Sequence, residues 1–422
     1  MKIAIVGSGI SGLTSALLLN KEHDVIIIEK SSRLGGHTNT VKINFDSEEF
    51  FVDTGFIVYN ERNYPLFTKL LDYLAIESVV TEMSFSVSDK ETSLEFRPTN
   101  LKTIFPGGSN IANVHFLYML TEIPRFNSIA KKALGSEDQT SLGEIIKNHK
   151  FTSFLSKYYI TPLASSIWSA SVDDILKMPV STYANFMYNH GLISFGNQPI
   201  WKTIPGGANR YIDAIVNELK HPPRVGCHIV SVTRDGEKIT VEYAGGERED
   251  FDALIIATHA NDIKGWLKNL SPLEQSFIDK FRFSKNRALL HLNSSLLPKH
   301  REVHSSWNFH VTKERSMGTT ITYLMNKLQP IKTKQTILVS LGMDKYIKEE
   351  DIINTFHYEH PILDAGAVLG QTMLSQVQGY LNTYYTGAWL GYGFHEDGVK
   401  SALEAVKSLY GHKMGKDLHF LK

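Results

Sequence analysis

The chain has 422 residues, 42% of them hydrophobic and 21% charged. That is the profile of a globular protein too long for one growing core, so two domains are expected. Lysine plus arginine and aspartate plus glutamate each number 44, which leaves no net field to draw in nucleic acid or an anionic membrane over a distance. The single cysteine, Cys227, excludes an intrachain disulfide framework and a thiolate metal cluster and suits a reducing compartment, with cytoplasm the simplest localisation.

Lys2 before an apolar run imitates a secretory signal, but Gly7, Gly9 and Gly12 interrupt it and no small-residue cleavage site follows, so no signal peptide is expected. No stretch supplies the roughly 18 consecutive apolar residues of a spanning helix. Any membrane contact should therefore be peripheral, at the inner face. Ile3 to Val6 and Val25 to Ile28 are continuous apolar runs, as in strands covered on both faces, and Leu13 to Leu19 between them suits a helix packed on that sheet. Together they make a parallel strand-helix-strand crossover. From Pro65 to about Pro205 the chain is aromatic-rich and helical or mixed, without another obvious parallel strand. Asn209 to Leu219 then suits a helix, while His228 to Val232 and Lys238 to Tyr243 alternate like strands around an Asp235-Gly236 turn. Phe251 to Ala257 is a buried run; Ala288 to Leu292, Thr319 to Leu324 and Thr336 to Leu341 are further strands; Gly398 to Leu409 is a closing helix. No repeat or low-complexity linker separates the parts, so the domains are interleaved.

Gly7-Ser8-Gly9-Ile10-Ser11-Gly12 fits G-x-G-x-x-G and follows a strand while opening a helix, where such a loop binds a dinucleotide. Gly7 permits the turn, Gly9 lets backbone approach a pyrophosphate, and Gly12 lets helix and strand pack closely. The helix N-terminus offers its amides to the phosphates. Glu29 ends the second strand, 17 residues after Gly12, where an acceptor meets ribose hydroxyls and its charge repels a 2'-phosphate. Lys30 follows it. A structural turn would give the same glycines, but the strand, helix, second strand and terminal acid together favour a dinucleotide.

A second glycine turn follows in Arg33-Leu34-Gly35-Gly36-His37-Thr38. Here the sequence resembles the flavin-containing amine oxidoreductase superfamily, which includes monoamine and polyamine oxidases, protoporphyrinogen oxidase and carotenoid desaturases. Its hallmark is the glycine triplet and ribose acid followed by an R-x-G-G-R-type turn, with His37 standing here for the second arginine. The resemblance runs on through Asp53-Thr54-Gly55, Pro205-Gly206-Gly207, Ile229, Ala257-Thr258, and Gly387 to Gly398 with Phe394, His395, Glu396 and Asp397. It implies an α/β fold: a Rossmann-like FAD-binding domain (1–64, 206–265, 378–422) interleaved with a mixed α+β substrate domain (65–205, 266–377). It implies FAD, with Asp53-Thr54-Gly55 approaching the ring, the main chain of Ile229 holding adenine and a helix N-terminus near Phe394 aimed at the flavin. Ala388 replaces the acid expected after Gly387, so Glu396 or Asp397 is the candidate for a ribityl or phosphate contact. Cys227 lies away from the C-terminal region where some relatives attach flavin, so FAD is expected to be noncovalent.

Four further blocks, Asn60 to Pro65, Asn189 to Leu192, Ser306 to Asn308 and Thr322 to Asn326, resemble NAD/FAD-binding proteins associated with cyclopropane-fatty-acyl synthases. That resemblance implies a fatty-acyl or phospholipid-acyl substrate, a desaturase or oxidase reaction, and a methyltransferase of that kind as partner. The alternatives are an amine or porphyrinogen-type oxidase, and a noncatalytic flavin-bound partner of a lipid-modifying methyltransferase.

Flavin chemistry asks the protein for little beyond positioning, a dry pocket and sometimes a base. His395 and Tyr392 are the candidates for catalytic work, each set against a capping or packing role. Tyr384, Tyr385 and Trp389 could wall a pocket, His190 and Asn189 could orient a polar head, and Trp168 and Trp307 could line an apolar channel, although core packing is the commoner fate of such rings. No metal site is expected. His357, Glu359 and His360 come nearest, and they suit a surface loop ending at Pro361.

Overall fold

In the computed structural model, which describes residues 1–45, 47–136, 138–192, 198–312 and 318–411, the chain forms two units. One comprises Met1–Ser78, Ile204–Arg282 and Gly366–Lys422; the other comprises Val79–Thr203 and Phe283–Ala365. The first unit runs past residue 64 because Pro65–Tyr73 is a helix whose Phe67, Leu70 and Leu71 lie in its core.

In the first unit, Lys2–Val6 pairs in parallel with Asp24–Ile28 on one side and Ala253–Ile256 on the other, and Thr383–Tyr385 extends the sheet beyond Ala253–Ile256. Ile3, Ile5, Ile27 and Ile255 are buried, as unbroken apolar runs require when both faces are covered. The helices Ile10–Leu19, Asn209–Glu218 and His395–Tyr410 share one core with these strands. A three-stranded antiparallel sheet, Ile229–Arg234, Ile239–Tyr243 and Arg248–Phe251, stands beside it. Its first turn uses Gly236 at φ +98°, a conformation glycine adopts freely.

Arg234 and Glu274 form a fully buried ion pair in this unit, with N–O distances of 2.7 and 3.1 Å, and the Tyr385 hydroxyl donates to Glu274 at 2.7 Å. Burial pushes the Glu274 carboxyl up, but Arg234, the Ser271 amide and Tyr385 together hold it below its usual value.

The second unit is built on a seven-stranded mixed sheet in the order Ile352–Pro361, Phe283–His291, Leu338–Leu341, Ile321–Leu324, Trp307–His310, Phe85–Asp89 and Leu94–Phe96. Only the pairing of Trp307–His310 with Phe85–Asp89 is parallel. That corrects two expectations. The region 65–205 does contribute a parallel strand, hidden by its small polar residues, and His357, Glu359 and His360 lie within the strand Ile352–Pro361, not in a loop. No group of three or more metal-ligating side chains occurs among the described residues.

One face of this sheet carries a hydrogen-bonded row of polar side chains across five strands. The Asn293 amide donates to His291 Nδ1 at 3.1 Å, leaving Nε2 as donor to Ser340 Oγ at 2.8 Å. Ser340 meets Thr322 at 2.7 Å, Thr322 meets His310 Nε2 at 2.9 Å, and His310 Nδ1 meets Ser88 at 3.3 Å. One orientation of every hydroxyl satisfies the row with both histidines neutral. Burial accordingly lowers His291 to about 4 and, with Lys90 adding, His310 to about 3.

Replacing Glu274 with Gln strands the Arg234 charge in a dry interior. A loss of about 3–5 kcal/mol is expected, read as a lower urea midpoint, and an unchanged midpoint would show the pair to be dispensable.

Candidate functional site

The site is built within the first unit where three chain segments meet. After Lys2–Val6, Gly7 turns at φ +105°, and a Cβ there would stand 2.7 Å from the Ala257 carbonyl oxygen. A Cβ on Gly12 would overlap the Gly7 carbonyl and lie 3.2 Å from Ala257 Cβ. The two outer glycines are thus required by close packing of strand, helix and the Ala257-Thr258 turn. Gly9 differs. It caps the helix Ile10–Leu19, and a Cβ there would meet no atom of the chain within 4 Å. That helix start has no side-chain cap and no acid in its first turn, so the amides at Ile10, Ser11 and Gly12 form a cradle suited to an anion. These features fit a pyrophosphate.

The second glycine turn lies against the first. Gly35 N donates to Ser8 O at 3.0 Å, and a Cβ on Gly36 would approach Gly9 Cα at 3.2 Å. The Arg33 guanidinium folds back on its own turn, bonding the Gly36 and Thr38 carbonyls at 2.7 and 3.1 Å. It fixes the turn while keeping its charge near the cradle. His37 lies 6.0 Å, ring to ring, from His259.

Glu29 is half-buried at the end of the second strand. It accepts from the Ser8 amide at 2.9 Å and hydroxyl at 2.7 Å, and from the Ser31 amide at 2.8 Å, so its carboxylate is held facing the loop. Lys30 instead pairs with Asp262 at 3.1 Å on the surface. The segment Arg224 to Cys227 continues alongside this end: Glu29 N donates to Arg224 O and Cys227 N to Glu29 O, both at 2.9 Å. Ile229 then opens its strand close by in sequence. This edge segment was missed in the sequence, where Pro222-Pro223 conceals a single bridge.

Several expected cofactor contacts turn out to be internal fastenings. Asp53 is fully buried, accepts from Thr40 Oγ1 at 2.5 Å and from the Ala208 amide at 3.0 Å, and so caps the helix Asn209–Glu218. Burial pushes its carboxyl up to about 7 against these bonds. Thr54 is tied to Asn39, and Gly55 follows it. Glu396 accepts from the amides of Leu66 and Phe67 at 2.9–3.1 Å and caps the helix Pro65–Tyr73. Asp397 accepts from the Phe394 amide at 3.0 Å at the start of its own helix, and burial raises it to about 6. Both acids are thus engaged by amides of the chain itself.

His395 is likewise tied into the scaffold. Its Nε2 lies 2.9 Å from Thr38 Oγ1 and 3.0 Å from the Tyr211 hydroxyl, and its ring stacks on Phe56 at 3.6 Å. Burial lowers it to about 3. A neutral ring with that nitrogen enclosed positions Thr38 beside the second glycine turn. Tyr392 is half-buried, its phenol raised by burial and by Asp397.

The C-terminal segment nevertheless reaches the loop: a Cβ on Gly398 would lie 2.5 Å from Ile10 Cγ2 and 3.0 Å from Ser11 Oγ. Gly387 N donates to Ser401 Oγ at 3.0 Å, and the Trp389 indole donates to the Thr258 carbonyl at 3.1 Å. Gly7 to Gly12, Gly35 to Thr38, and Gly387 to Gly398 therefore converge as the glycine pattern requires. The sequence signature described as "Flavin containing amine oxidoreductase" matches residues 10–296. The chain belongs to that family, whose members are FAD-dependent oxidoreductases.

An L-amino acid oxidase of Bothriechis schlegelii is 21% identical over 263 residues, covering 58% of this chain and 49% of that protein. The chain spans about half the length of this relative. Among solved structures, a CLA-producing fatty acid isomerase from P. acnes is similar with a TM-score of 0.70 and 13% identity, covering 97% of this chain and 99% of the isomerase. Cyclohexylamine oxidase from Brevibacterium oxydans is similar with a TM-score of 0.69 and 13% identity, covering 97% and 98%. At such identities these structures establish the amine oxidase fold, a parallel Rossmann-like sheet with a second mixed sheet.

Two measurements test the site. Gly9→Ala should leave the melting temperature of FAD-free protein unchanged, because the chain leaves space for the methyl group, yet weaken FAD binding by roughly tenfold or more through lost backbone approach; equal affinity would remove the cradle from the binding site. Asp53, with a folded pKa raised above its unfolded one, binds a proton that the unfolded chain has lost, so it costs stability as pH rises from about 4 to 7. Asp53→Asn should gain stability relative to the native chain across that window, by at most roughly 4 kcal/mol at about 1.4 kcal/mol per pK unit. Parallel Tm–pH curves would refute this.

Proposed function

We propose that the protein oxidises an apolar, acyl-bearing substrate by hydride removal to noncovalently bound FAD. In this reading the unit built on the glycine loop holds the cofactor and the unit built on the seven-stranded sheet holds the substrate. FAD, when bound, supplies a two-electron acceptor that oxygen or another oxidant restores. The proposed holding residues are the cradle at Gly7, Gly9 to Gly12 and Gly35-Gly36, with Glu29 on the ribose. Cys227 lies beside Glu29, on the ribose side, which favours noncovalent attachment.

One observation carries the substrate class: the second unit has buried donors to spare and no spare buried carboxylate. Its buried acids among the described residues are Asp89, Glu95 and Glu122. Asp89 accepts from the Tyr158 hydroxyl at 2.6 Å and from Lys157 at 3.1 Å; Glu95 accepts from the amides of Lys299 and His300 at 2.8 Å; Glu122 accepts from the Thr152 amide at 2.9 Å. None remains for an ammonium group. By contrast, the indole N–H groups of Trp168 and Trp307 are buried without an acceptor. The two are linked: Trp307 packs edge-on against Tyr323 at 5.4 Å, and the Tyr323 hydroxyl bonds Ser169, the neighbour of Trp168. A buried donor without a partner costs about 1–3 kcal/mol. A carbonyl or carboxylate oxygen on the substrate removes that cost, and an ammonium group, which has no lone pair, does not.

The resemblance of Asn60 to Pro65, Asn189 to Leu192, Ser306 to Asn308 and Thr322 to Asn326 to proteins associated with cyclopropane-fatty-acyl synthases supports the same class. It also supports a methyltransferase as partner. The likeness to cyclohexylamine oxidase and an L-amino acid oxidase favours an amine as the second reading.

Anaerobic mixing with fatty acids, phospholipids and amines, followed by flavin absorbance, separates these readings. Bleaching by an acyl lipid is expected. Bleaching by amines alone would defeat the proposal, and bleaching by nothing, with a methyltransferase co-purifying, would favour a noncatalytic role. Trp307→Phe, which keeps the ring and removes the donor, should raise KM for the acyl substrate about five- to tenfold with kcat little changed.

A further inference from the structure

The helix Val114–Lys132 buries Phe116, Met119, Phe126 and Ala130 on one side. On the other it exposes Val114 (74%), Leu117 (39%) and Tyr118 (54%), whose i, i+3, i+4 spacing puts them on one face. Leu101 (75%) and Ile111 (58%) are equally uncovered. The segments carrying them are fastened to the start of the helix. Asn110 Nδ2 donates to the Glu95 and Ile104 carbonyls at 2.9 and 3.1 Å, and Phe105 packs edge-on against Phe116 at 6.0 Å. Five large apolar side chains thus stand in water at one end of one element, where burying each would release roughly 1.5–3 kcal/mol.

The charge around them is mostly positive, although Arg97 pairs with Glu82 at 3.4 Å. From Arg97 to Leu134 the chain holds Arg97, Lys102, Arg125, Lys131 and Lys132 against one acid, Glu122. That acid is buried and accepts from the Thr152 amide. Lys102, Arg125, Lys131 and Lys132 are exposed. The turn Arg301–Val303, which packs on Leu101–Ile104, adds exposed Lys299 and Arg301 with the half-exposed Glu302. In a chain with 44 charges of each sign, this is a local excess of cations, with Lys102, Lys299 and Arg301 at the apolar tip and Arg125, Lys131 and Lys132 farther along the helix.

We propose that this face docks the protein onto a bilayer containing anionic phospholipid. Leu101, Ile111, Val114, Leu117 and Tyr118 enter the headgroup boundary while the basic side chains meet lipid phosphates. A mostly basic rim suits a surface of uniform opposite charge, whereas a protein partner is met by evenly mixed, register-specific charges. The inference uses exposure and charge alone, so it stands apart from the acyl reading.

The test is sedimentation of the FAD-loaded full chain with phosphatidylcholine vesicles, with and without phosphatidylglycerol, at low and high salt. Binding only to the anionic vesicles, weakened by salt, is expected. Lys102→Gln with Arg301→Gln should weaken it about 25-fold, and Val114→Asp with Leu117→Asp should abolish it. Neither pair should alter flavin content or melting temperature, because all four side chains are exposed. Failure to sediment with anionic vesicles, or binding indifferent to both pairs, would overturn the proposal. So would sedimentation velocity showing that the aspartate pair splits a dimer, which would assign the face to a second copy of the chain.

Discussion

Everything in the first unit depends on how closely one peptide passes another at Gly7 and Gly12. The Gly12 backbone lies where a side chain would overlap the Gly7 carbonyl, and Gly7 is pressed against Ala257. Strand, helix and the turn after Ala253–Ile256 are therefore locked at van der Waals contact, and the helix start cannot tilt away from the loop that precedes it. Gly398 repeats the constraint from the far end of the chain against Ile10 and Ser11. A phosphate cradle of backbone amides has value only if it is rigid before the anion arrives. These contacts supply that rigidity without any side chain reaching into the cradle.

The carboxylates around the cradle serve the same end by different means. Asp53 ties the hairpin strand Glu48–Asp53 to the start of one helix, Glu396 ties the last helix to the start of another, and Asp397 closes its own helix. Each places an acceptor on amides that would otherwise be unsatisfied at a buried helix end. The raised values of Asp53 and Asp397 are the cost of such burial, tolerated because long-range segments are held together. Glu29, half-exposed and oriented by Ser8, is the one acid of the group that still faces outward to the loop.

The glycine loop, the parallel strands and the crossover were legible because their signals are local: φ freedom, unbroken apolar runs and fixed spacing. Roles that depend on distant partners were not. Nothing near Glu396 in sequence points to the amides at Leu66 and Phe67, and nothing near His395 points to Tyr211 and Thr38. Resemblance places both residues at the cofactor, and their bonds within the chain show that both also brace the scaffold. The strand Phe85–Asp89 escaped notice because Ser86, Ser88 and Asp89 break the continuous apolar run expected of a strand covered on both faces. Their burial depends on Asn308, His310 and Tyr158, which lie elsewhere in the chain. His357 to His360 read as a loop for a similar reason, since a polar strand is recognisable only through its partner, Phe283–His291.

Family membership settles the cofactor fold more firmly than the substrate, because the cradle is made of backbone and is indifferent to what is oxidised. Discrimination must come from side chains, and for the acyl reading proposed above the ionisation of the second unit is the relevant feature. Its buried acids are all bonded, and burial keeps His190, His291 and His310 neutral. The row from His291 to Ser88 needs both its histidines uncharged, since a second proton on either would leave two donors facing one another. A positive charge brought near that face would meet no compensating carboxylate and would press on a network with a single consistent polarity. An interior of this kind is costly for a cation and hospitable to an uncharged chain, and that asymmetry follows from bonds within the unit itself.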